Sequence, residues 1–129
     1  MAFHIDSDDL VYAGQIGIDS GQAIVGDPSY LYDWDTNRNE DWNTEGKVGE
    51  YSYQGASATT LEKNYGELGH AKAVAFSTGM GDGVYPVYVY VNKEKRVSAV
   101  VIDFLGEFCD EPLVLESYEE QYWPYGRLK

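Results

Sequence analysis

Seven residues, Ser77-Thr78-Gly79-Met80-Gly81-Asp82-Gly83, gather three glycines, two hydroxyls and a carboxylate. Glycine admits left-handed backbone angles, and successive amides in such turns can point at one anion. A phosphate or nucleotide is the ligand this pattern would take, with Ser77 and Thr78 as further donors. Two features oppose it. The loop runs from one strand-like segment into another instead of into a helix, and it lacks the Walker lysine. Asp82 would also repel an anion. The plain alternative is a structural connection.

Asp82 has a counterpart in Asp27: one sits in Gly81-Asp82-Gly83, the other in Gly26-Asp27-Pro28. Two carboxylates brought together at one end of a sheet could share a proton or a metal, as acid–base hydrolysis requires. Separate turn or capping aspartates account for the same residues without chemistry. Other catalytic patterns are missing. His4 and His70 lack metal-ligand spacing, and Gly55-Ala56-Ser57-Ala58-Thr59 lacks the second glycine of a nucleophile elbow. Cys109 is the sole cysteine, which excludes an intramolecular disulfide and a cysteine-based zinc cluster. Its acidic neighbour disfavours a reactive thiolate. Asp33–Asn39 begins like a calcium loop, yet Arg38 replaces the needed glycine and Thr44 the bidentate glutamate. No cofactor and no metal is expected.

The chain has 129 residues and a net charge of −13, from nine basic and 22 acidic side chains. That excess repels phosphate backbones and anionic membrane surfaces, so direct nucleic-acid or membrane binding is disfavoured. It permits a basic protein partner. Twelve tyrosines against four phenylalanines suit half-buried sheet faces and binding surfaces, because tyrosine joins an apolar body to a polar tip. Met1–Asp6 lacks the basic start and apolar core of a signal peptide, and a cytoplasmic location is expected. One domain over residues 1–129 fits this length.

The elements that must hold the candidate residues read as follows. Leu10–Asp19 and Gln22–Gly26 are expected strands joined as a hairpin, with Leu10, Tyr12, Ile16 and Ile18 on one face. Asp27 before Pro28 signals a helix start, giving a short helix over Asp27–Trp34. Asp33–Gly49 reads as a solvated acidic insertion with Trp34 and Trp42 as anchors. Glu50–Leu61 is read first as a strand, with a helix as the alternative, and Glu62–Gly69 as a connection. Ala71–Ser77, Val84–Val91 and Arg96–Phe104 are rich in β-branched and aromatic residues and predict consecutive antiparallel strands. Val84–Val91 is apolar on both faces, as in a strand covered on two sides. Pro86 requires its start to be irregular or at an edge, and Asp103 on an apolar face must be hydrogen-bonded, paired or near the strand's end, the last being the first choice. Leu113–Tyr118 could be a last strand or the approach to a helix. The resulting fold class is all-β or β-dominated, an antiparallel sandwich or partial barrel with one or two short helices.

Three stretches, Gly26-Asp27-Pro28-Ser29-Tyr30, Gly55–Leu61 and Ser77–Tyr88, resemble an uncharacterised family of bacterial and bacteriophage proteins. Its members carry Gly-Asp-Pro-Ser/Cys-Tyr upstream of Ser-Thr/Ser-Gly-x-Gly-Asp-Gly-x-Tyr-Pro-Val-Tyr. The resemblance covers Ile16 to Phe104 and implies a bacterial or phage origin, but no reaction. The expected function is a non-catalytic binding protein that engages a host protein or small ligand around the glycine-rich loop. Its expected ligand-binding residues are Asp27, Ser29, Tyr30, Ser77, Thr78, Gly79, Gly81, Asp82, Gly83 and Tyr85. The alternatives are an acidic mimic of nucleic acid that inhibits a nucleic-acid enzyme, and a small carboxylate- or metal-dependent hydrolase.

Overall fold

Side-chain alternation and turn chemistry produce two antiparallel sheets in the computed structural model, which describes residues 10–36 and 46–107. The expectations for Cys109, His4, Trp42, Leu113–Tyr118 and positions 37–45 of the acidic insertion fall outside those residues. Strands β1 (Leu10–Ile18), β5 (Gly83–Val91) and β6 (Val97–Ile102) form one sheet in the order β1-β5-β6. Strands β2 (Gln22–Gly26), β4 (Ala73–Ser77) and β3 (Tyr65–Leu68) form the other in the order β2-β4-β3. Helices α1 (Leu31–Thr36) and α2 (Tyr53–Lys63) complete a β-dominated fold, and neither sheet closes into a barrel. By their contacts the residues form two compact units, 19–82 and the segments on either side of it. Each is described by itself.

In the β1-β5-β6 sheet, the expected pairing of β1 with β2 gives way to β1 against β5. The nine residues of β5 offer β1 a far longer ladder than the five of β2 could. The register slips between Tyr12 and Gly14, leaving Ala13 as a bulge. A bulge shifts side-chain parity by one. Leu10 and Tyr12 therefore share a face with Tyr88 and Tyr90, while Ile16 and Ile18 share the opposite face with Tyr85. The single face expected for all four β1 residues is thus split in two. Both faces of β5 do carry a buried tyrosine, Tyr85 and Tyr88.

Pro86 lies in this central strand where the β6 ladder has ended: pairing starts at Val87 with Ile102. Its carbonyl still accepts from the Asp103 amide at 3.3 Å, so the donor it lacks would have faced β6. Asp103 is buried just past β6, and its carboxylate accepts from the Glu107 amide at 2.9 Å.

In residues 19–82 a core of Tyr51, Ala56, Leu68, Ala73 and Ala75 forms, with Ile24 and Trp34 packed against it. The strand expected over Glu50–Leu61 is instead helix α2. Ser52 caps its start by accepting from the Gly55 amide at 2.9 Å. Asn64 ends it in a left-handed conformation. Gly55, Ala56, Thr59 and Thr60 are buried at the spacing of one helical face. Their small size is a packing demand: a Cβ on Gly55 would stand 2.1 Å from the Glu50 carbonyl oxygen. Within the expected connection Glu62–Gly69 lies β3, and β4 pairs with β2 and β3 rather than with β5.

Candidate functional site

Strand β2 separates the two aspartate turns. Asp82 accepts from the amide of Gly21, immediately before β2, at 2.8 Å, whereas Asp27 follows the last residue of β2. Six residue steps of extended chain span about 20 Å. Direct cooperation of Asp27 and Asp82 in one hydrolytic site is therefore ruled out. Among the described residues no group of three or more His, Cys, Asp or Glu side chains is placed to hold a metal ion. No described helix is long and apolar enough to cross a membrane.

At the Gly21 end the loop satisfies itself. Thr78, 1% exposed, donates its amide to the Gly21 carbonyl at 3.0 Å. Its hydroxyl donates to the Gly81 carbonyl at 2.7 Å and accepts from the Gly81 amide at 2.8 Å. Ser77 donates its amide to the Asn64 carbonyl at 2.7 Å. Gly79 and Gly81 hold φ of +81° and +85°, the region where glycine is at ease. Of the amides around this loop, those of Ser77, Thr78 and Gly81 are thus bonded within the protein. Gly83 and Tyr85 begin β5 in the other compact unit, and the buried Tyr85 ring meets Phe104 edge-on at 5.0 Å.

At the Asp27 end the chain turns outward. Asp27 accepts from the Ser29 amide at 2.9 Å, and Pro28 opens a single 3-10 turn, Pro28–Tyr30, that runs into α1. The proline and the cap fix this entry before any tertiary contact is made. Tyr30, Leu31 and Tyr32 follow as three exposed large side chains. Behind them Lys72 pairs with Asp33 at 2.8 Å, and its ammonium stands 5.6 Å from the Tyr30 ring centre and 5.5 Å from that of Tyr51. The Tyr51 hydroxyl donates to the Tyr30 carbonyl at 3.1 Å, and Trp34 meets the Tyr51 ring edge-on at 5.1 Å. The hydrogen bond to Asp33 raises the Lys72 pKa, and burial raises that of Tyr51.

The structure thus places Asp27, Ser29 and Tyr30 together, Ser77–Asp82 at the far end of β2, and Gly83 and Tyr85 in the other sheet. Lys72, Asp33, Tyr51 and Trp34 join Tyr30 in a cluster the sequence reading did not assemble. Tyr30 as a ligand-binding residue, Asp33 at the head of a calcium-like stretch and Trp34 as an anchor are separate expectations, and the 39 positions that separate Asp33 from Lys72 keep the lysine apart from them.

No match was found among curated proteins, and none among solved structures. One family model matches residues 5–102, a span ending with β6. The chain belongs to that family, described as protein of unknown function (DUF4241).

Proposed function

We propose that this chain is a non-catalytic binding module that docks a protein partner in the cytoplasm through the corner Asp27–Tyr32. If the chain is phage-encoded, the partner is a host protein. The observation that carries this reading is the exposure of three consecutive large residues: Tyr30 at 36%, Leu31 at 54% and Tyr32 at 76%. Tyrosine is enriched among the residues that dominate interface energies. Here such side chains ride on a turn already fixed by the Asp27 cap and Pro28, so little ordering entropy remains to be lost on docking. Side chains raised on a helical corner suit a protein face, whereas a small molecule calls for a concave, enclosing site. The Thr78–Asp82 loop, tied to Gly21 through the Thr78 amide and the Asp82 carboxylate, is then the scaffold that sets the start of β2.

Capture of partners on the immobilised full chain tests this. L31A/Y32A should weaken a captured partner's binding by more than about tenfold, the size expected for interface anchors. D82A should retain it. A partner held equally by L31A/Y32A, or released by D82A alone, overturns the reading. Rising salt separates it from the acidic-mimic alternative, in which binding would collapse steeply with ionic strength.

A further inference from the structure

Lys72 stands at the start of β4, and its ammonium occupies a corner with a carboxylate on one side and two aromatic faces on others. Both ring centres lie within the distance of about 6 Å over which a cation is attracted to an aromatic face. The walls of this corner are held without help from the lysine. Tyr51 is a core residue, its hydroxyl is tied to the Tyr30 carbonyl, and Trp34 braces its ring while packing on the same core. Asp33 follows from the capped turn that Asp27 and Pro28 begin. The corner is also open, because the Lys72 and Asp33 side chains remain 33% and 45% exposed.

A preformed set of aromatic faces beside a carboxylate is complementary to an ammonium whichever chain supplies it. We propose that this corner is a cation cage whose guest is a lysine side chain of the protein partner, with Lys72 as the resident that the guest replaces. The inference rests on the docking reading above and names the group that reading leaves open. The tethered Lys72 competes with any guest ammonium, so the flanking tyrosine and leucine contacts must offset the cost of displacing it. The net charge of −13 favours the approach of such a basic partner. At neutral pH Lys72 is an ammonium, as any lysine with an ordinary or raised pKa is.

The test uses the full chain with Nα-acetyl-lysine methylamide, its Nε-trimethyl form and the neutral norleucine analogue, followed by NMR. Lys72→Met should bind both cationic probes at least about tenfold more tightly than the unaltered chain, and the norleucine probe should show no such gain. Adding Asp33→Asn or Tyr30→Ala should abolish the gain. In the unaltered chain, excess trimethyl probe should move the Lys72 ε-methylene resonances toward those of free lysine. No gain in Lys72→Met, equal binding of norleucine, or Lys72 resonances that do not move would each overturn the cage. Loss of the fold in Lys72→Met would overturn it too, because the lysine would then be a structural tie. Probe binding does not involve Leu31 or Tyr32, so a failed cage and a failed docking surface give different results.

Discussion

The two ends of β2 begin from nearly the same material, an aspartate beside glycine in a tight turn, and reach opposite outcomes. At the Gly21 end Asp82 and Thr78 spend their polar atoms on neighbouring backbone, and the loop closes. At the Gly26 end Asp27 spends its carboxylate on the Ser29 amide, which launches a helix and lifts three large side chains into solvent. The residue after each aspartate decides the difference. Glycine at 83 lets the chain continue into a strand, while Pro28 supplies the fixed φ that starts a helical turn. A turn aspartate is therefore a weak marker of chemistry until its acceptor oxygens are accounted for.

The largest expected effect lies at the closed end. Thr78→Val removes a buried hydroxyl that bonds both the amide and the carbonyl of Gly81, and should cost about 2 kcal/mol in urea denaturation. A cost below about 0.5 kcal/mol, the range of ordinary surface changes, would mean that the loop is not held by this residue. Asp27→Ala should cost about 1 kcal/mol, the usual worth of a helix cap, without altering amide exchange at Gly81. A change at Gly81 would show that the two ends are coupled.

A pH series gives the smallest and most local contrast. Lys72 and Tyr51 both have pKa values raised above their ordinary 10.5 and 10.0. A group whose folded pKa is raised contributes stability that is full below its unfolded pKa and is lost as pH rises through the folded one. The difference in urea midpoint between the unaltered chain and Lys72→Met should thus stay constant from neutral pH and shrink above about pH 10. Shrinkage at mildly acidic pH would contradict the assignment of that difference to Lys72. The Thr78→Val cost should not vary over the same window.

Much of this fold is legible where local signals agree. Val84–Val91 is apolar on both faces and is a central strand, and Asp27-Pro28 announces the helical turn that forms. Glu50–Leu61 misleads because threonine and glycine are poor helix formers, while the reason for the helix is tertiary: a small face must fit beneath the β2-β4-β3 sheet. The Ala13 bulge is invisible to simple alternation, since one extra residue reverses every later parity. Sequence distance hid the Lys72 cluster as well. Nothing in the order of residues announces that an ammonium at 72 will find a carboxylate at 33 and rings at 30 and 51.

Pro86 acts as a ruler for its neighbour. On one flank of β5 the β1 ladder runs down to Gly83, but on the other the imino nitrogen has no hydrogen to offer, and β6 stops one residue short. Another chain that tried to zip along this flank would meet the same missing donor. A single ring closure thereby sets where the β5–β6 ladder ends from within the sheet's middle strand.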